Sequence, residues 1–174
     1  MPLSAAQAKL LDSYISQSGA TIPSLSFERP LLLVFLRHFG CTFCREAVAE
    51  LEKLRSQIES LGTQLAFVHL ATEERAKKYF APHHFEDLPR FSDPEGHLYQ
   101  SLGLVRAQWY QYLNPKSIAR MLSAWSRGHF LGAPAGDVER MPGVFLFRNG
   151  AILKSFRHKL VSDRPDYLSL AAPP

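Results

Sequence analysis

In 174 residues the chain has only two cysteines. It has no run of five or six like charges, no repeat and no low-complexity tract. So little cysteine excludes a scaffold built from disulfides, and two thiols three positions apart could close only a very small loop. No segment approaches the roughly 18 apolar residues of a membrane-spanning helix. The start, 1–20, lacks both the basic opening and the continuous apolar core of a secretory signal. A net charge of +4 with scattered Lys and Arg argues only weakly for nucleic acid or membrane. The default expectation is a soluble cytoplasmic protein with a normal hydrophobic core. It is read as one domain over 1–174, with an N-terminal helical arm at 1–20 and a helical insertion at 105–130. Thiols stay reduced in the cytoplasm, so a cysteine pair there reads as catalytic or metal-binding before structural.

What is present is an alternation of elements. Residues 4–16 carry Leu10, Leu11, Tyr14 and Ile15 on one side of a helix with Ser4 as its cap, and Pro23 and Ser24 mark a connection. The apolar run 31–39 reads as a strand buried on both faces. After Cys44, Ala47, Leu51, Leu54, Ile58 and Leu61 form a helical stripe that stops at Gly62. A second buried strand covers 64–71, a helix 73–81, a short strand and turn 89–96, and a short helix 97–103. Asn114 and Pro115 open a helix with Ile118, Met121, Leu122 and Trp125 on its apolar face, ending at Gly128. A loop spans 131–140. Asn149-Gly150 between the apolar runs 143–147 and 151–156 is a strong hairpin signal. A last helix covers 163–171. Alternating βα units followed by a hairpin predict an α/β fold, its sheet parallel on one side and antiparallel at the end.

Cys41 and Cys44 lie where the first strand hands over to the stripe helix. A sulfur at a helix N-terminus faces unpaired N–H groups and the positive end of the dipole, which favour thiolate. Arg37, His38 and Arg45 add positive charge nearby in sequence, and Thr42 lies between the cysteines. Cys41 precedes the helix and is expected to be the more exposed, with Cys44 partly covered in the first turn. One thiol can then attack and the second resolve the mixed disulfide. Zinc needs about four ligands, and no second C-x-x-C or C-x-x-H accompanies this one, so neither metal nor cofactor is expected. His38, His83 and His84 could supply nitrogens, with nothing in the sequence to fix their geometry. His69, inside a strand, reads as a core histidine.

The segments 37–46 (RHFGCTFCRE), 91–104 (FSDPEGHLYQSLGL) and 141–160 (MPGVFLFRNGAILKSFRHKL) together resemble the thioredoxin-like superfamily, in particular its AhpC/TSA branch. Within that branch the similarity is to peroxiredoxin-like proteins that carry a C-x-x-C, the peroxiredoxin-like 2 and SelL-like group. The resemblance implies a three-layer α/β/α sandwich with redox-active Cys41 and Cys44. It also implies a cis Pro142 facing them, which would leave the Met141 backbone open to pair with a substrate. Two departures stand out. Phe35 occupies the place of thioredoxin's buried aspartate, so the proton acceptor for Cys44 is water, Glu46 or Glu50. The peroxide-polarising threonine of typical peroxiredoxins is absent, and Arg106 and Arg148 are the candidates for a catalytic arginine.

Three activities follow. The first is thiol–disulfide exchange on a protein or small-molecule partner, reset by a cellular thiol reductant. The second is peroxide reduction through the same cysteines. The third is a non-enzymatic binding module on 106–130, where Arg106, Trp109, Tyr110, Tyr112, Lys116, Arg120 and Arg127 interleave bases with aromatics. For that segment, segregation of bases and apolar residues to opposite helix faces favours a packed helical insertion instead. No nucleic-acid or membrane partner is expected, and the chain is expected to be a monomer or homodimer.

Overall fold

The computed structural model describes residues 3–106, 115–126, 140–160 and 162–174. Its middle layer is a sheet of β1 (Leu31–Phe35), β2 (Gln64–His69), β3 (Arg90–Ser92), β4 (Gly143–Arg148) and β5 (Ala151–Arg157). The spatial order is β3-β2-β1-β4-β5. β1, β2 and β3 pair in parallel, and β4 and β5 continue the sheet antiparallel from β1. Every residue of β1 and β2 is buried. Successive side chains alternate between faces, so two cores form. Leu32, Val34, Leu65, Phe67, Val144 and Leu146 face one way. Leu31, Leu33, Phe35, Ala66, Val68 and Phe145 face the other.

Helices cover both faces, giving the mixed α/β sandwich expected. α3 (Thr42–Ser60), α4 (Glu73–Phe80) and α7 (Tyr167–Ala171) supply the first core. α1 (Ala5–Ser13), α2 (Ile22–Glu28) and α5 (His97–Ser101) supply the second. The remaining described helix is α6 (Pro115–Ser126). Ser4 caps α1 in a reciprocal box with Gln7, as its sequence suggests. Ile15, however, is 66% exposed and lies beyond the helix, in an isolated bridge to Thr21.

The connection expected at Pro23 and Ser24 is instead α2. Thr21 and Ser24 close a capping box, and Pro23 sits in the first turn, where its missing N–H has no intrahelical partner to lose. The hairpin forms as read: Asn149 (φ 51°) and Gly150 (φ 70°) both take the left-handed conformation that a tight two-residue turn requires. His69 is a core histidine, with Nδ1 2.9 Å from the Ala71 carbonyl. Asn114, Gly128 and the loop 131–139 lie outside the described residues.

Candidate active site

β1 runs down the centre of the sheet, and the chain leaves its C-terminal end through residues 36–41 into α3. That loop is tied on every side. Tyr99 Oη donates to the Leu36 and Val68 carbonyls, and the Leu36 N–H donates to Val68 O at 2.9 Å. Phe39 stacks on Tyr79 with ring centroids 4.1 Å apart, and Arg45 Nε donates to Phe39 O at 3.3 Å. The Cys41 N–H donates to His38 O at 3.0 Å, which closes the turn that starts the helix.

Cys41 is the N-cap residue of α3 and Cys44 lies in its first turn, both as thiols. The two are equally buried, each 4% exposed. The expectation that Cys41 would be the more exposed is therefore wrong, and the buried Arg37 side chain lies against its sulfur. What separates the thiols is their partners. The Cys44 S–H donates to the Cys41 sulfur and, against the cost of burial, holds the Cys41 thiol below its ordinary value. The Arg37 guanidinium assists, with Nη1 3.4 Å from Cys41 Sγ. The Phe43 and Cys44 amides face the same sulfur. Cys44 is pushed well above its ordinary value, first by that shared hydrogen bond and then by burial. Its sulfur accepts the Arg37 backbone N–H at 3.4 Å.

The other supporting residues divide. Arg37 is buried and reaches the site; its Nε also donates to Arg140 O at 3.0 Å. His38 is half-buried and pushed down to about 4 by desolvation and then by Arg37. It is therefore neutral near pH 7 and adds no positive charge. Arg45 serves the loop carbonyl of Phe39. Thr42 is buried, and its hydroxyl accepts from Trp125 Nε1 at 3.3 Å, which seats α6 against the start of α3.

Pro142 lines the cleft beside Cys44, but no peptide among the described residues is cis, so the expected cis Pro142 is corrected to trans. Nor is the Met141 N–H open to a substrate: it donates to Val105 O at 3.0 Å. That bond and the His158 N–H on Pro142 O at 3.4 Å hold the approach to β4 extended. Arg148 lies at the far end of the sheet, since β4 runs antiparallel to β1 with Gly143 beside Phe35 and Phe147 beside Leu31. Its Nη1 donates to Phe27 O at 3.2 Å. Arg106 bridges Arg140 through backbone pairing. No cluster of three or more His, Cys, Asp or Glu with metal-holding geometry occurs among the described residues. Trp109, Tyr110, Tyr112 and Arg127 lie outside the described residues.

The family model described as AhpC/TSA antioxidant enzyme matches residues 50–159. The chain belongs to the AhpC/TSA antioxidant enzyme family. The matched segment begins after both cysteines, so membership and the thiol geometry are separate observations. Prostamide/prostaglandin F synthase of Danio rerio is 30% identical over 152 residues, covering 83% of this chain and 73% of the relative. Human peroxiredoxin-like 2A is 29% identical over 147 residues, covering 80% of this chain and 60% of the relative. The fold matches a structure of peroxiredoxin Q from Xanthomonas campestris with a TM-score of 0.63 and 14% identity, over 90% of this chain and 85% of that one. The chain is thus a member of a peroxiredoxin-like, thioredoxin-like redox family. Among the described residues, no helix is long and apolar enough to cross a membrane.

Glu46 and Glu50, named from the sequence as candidate acceptors for the Cys44 proton, line the cleft that reaches Cys44. Sequence reasoning missed His158, Asp163 and Arg164, which line the same cleft and carry no local signal that links them to the cysteines.

Proposed function

We propose that this protein is a thiol–disulfide oxidoreductase of a reducing compartment, with Cys41 as the attacking thiol and Cys44 as the resolving one. The observation that supports this most is the opposite bias of two equally buried sulfurs, Cys41 toward thiolate and Cys44 toward thiol. Cys41 attacks a disulfide on a protein or small-molecule partner, and the partner leaves one sulfur as thiolate. Cys44 then loses its proton, attacks the Cys41 sulfur, closes the Cys41–Cys44 bridge and expels the partner's second sulfur. A cellular thiol reductant returns the pair to two thiols. Arg37 holds the attacking anion, and Thr42 with Trp125 and Arg45 with Phe39 hold the helix start and the loop.

A second reading rests on the antioxidant family name and on Arg37 beside Cys41. The Cys41 thiolate would take one oxygen from a peroxide, releasing an alcohol or water and becoming a sulfenic acid. Cys44 would condense with it and release water. The Danio rerio relative's name adds prostaglandin-class compounds to the substrates worth assaying.

Trapping with Cys44→Ser tests the first reading: a mixed disulfide between Cys41 and a partner should accumulate, and no captured species would count decisively against it. Rapid mixing of the reduced protein with hydrogen peroxide and an alkyl peroxide tests the second. A rate no faster than that of free cysteine removes it.

A further inference from the structure

Resolution requires the buried Cys44 thiol, with its raised pKa, to lose a proton, and its neighbour Cys41 is itself buried. A narrow cleft reaches Cys44 between the start of α3, the approach to β4 and the segment before α7. It holds about 30 Å³ of water-sized space, enough for a water molecule, which needs at least about 10–15 Å³. Cys44 and Glu46 both line it, and Cys41 does not. Glu46 is 5% exposed. Arg164 grips it, with Nη1 3.3 Å from Glu46 Oε1, while its Nη2 binds Glu50 nearer the mouth. A carboxylate kept this dry and paired has a fixed orientation, as a proton acceptor requires.

We propose that Glu46 accepts the Cys44 proton, through one water in this cleft, during the resolving step; this rests on the disulfide reading above. The step balances. The Cys44 S–H bond breaks and its proton passes by the water to Glu46. The Cys44 sulfur attacks Cys41 and forms the S–S bond. The partner sulfur departs as thiolate with the electron pair of the broken disulfide, and Glu46 returns the proton to solvent past Arg164. His158 also lines the cleft, pushed down to about 4 mainly by burial. Its Nδ1, 3.1 Å from Pro142 O, is engaged with that carbonyl. Glu50, Asp163, Arg164 and Tyr167 complete the titratable lining, and Arg37 closes the inner end.

Mixing the reduced protein with dithiobis(nitrobenzoate) separates the steps. Cys41 attack releases one coloured thiolate and Cys44 resolution releases the second. Glu46→Gln is expected to slow the second release by about tenfold or more near neutral pH, with the first within about twofold. Glu46→Asp should restore part of the lost rate. A second release unchanged in Glu46→Gln, or both releases slowed alike, overturns the assignment. Wild-type protein carries the same test if Glu46→Gln does not fold. With Glu46 as acceptor, the second release stays nearly flat between about pH 6 and 8, whereas unassisted loss of the proton rises about tenfold per pH unit and contradicts the proposal. A wild-type protein that releases only one thiolate would instead defeat the disulfide reading itself, and this role for Glu46 with it.

Discussion

The two sulfurs at the α3 N-terminus are equally buried but differ in surroundings. Toward Cys41 point a guanidinium, two backbone amides and a thiol proton. Around Cys44 lie the donor side of that shared hydrogen bond, the Arg37 amide and a cleft where Glu46, Glu50 and Asp163 meet Arg164 and His158. Burial alone would raise both thiols. The difference teaches that the opposite bias of the two thiols follows from which sulfur receives hydrogen bonds, and exposure does not decide it.

The largest expected effect comes from removing the shared proton. A hydrogen bond to a charged group contributes about 1.5–3 kcal/mol, or roughly 1–2 pKa units. Cys44→Ala should therefore raise the Cys41 pKa by about that much and lower its thiolate fraction at neutral pH by roughly tenfold. Cys44→Ser, which keeps a donor, should raise it less. A thiolate titration of the two variants decides the matter, and identical curves would erase the asymmetry. Arg37→Gln is expected to have a smaller effect. It keeps a hydrogen-bond donor and loses the charge, so Cys41 alkylation near pH 7 should fall by about threefold, as a rate comparison with wild type would reveal. No change there would leave the helix start and Cys44 as the only sources of the bias.

Much of the fold was legible because its signals are local. Strand β1 is an unbroken apolar run, β2 carries one at 65–68, the α3 stripe keeps helical spacing, and Asn149-Gly150 fixes the hairpin. α2 was missed because Pro23 reads as a break unless the Thr21–Ser24 box is seen first. The cysteine pair and its helix were legible for the same local reason. The burial of Cys41 was not, since Arg37, which lies against its sulfur, is itself held by the Arg140 carbonyl 103 positions away. The cleft was hidden likewise, for Arg164 meets Glu46 across 118 positions. Pro142 misled through resemblance; here the chain enters β4 by a trans peptide, held by Val105 and His158.

The most direct test of the central claim is the alkylation rate of Cys41 and of Cys44, each followed separately by peptide mass as pH rises. The account predicts a Cys41 midpoint clearly below the usual thiol value of about 8.5 and a Cys44 midpoint well above it. Two midpoints that coincide near that value, or a reversed order, would contradict it.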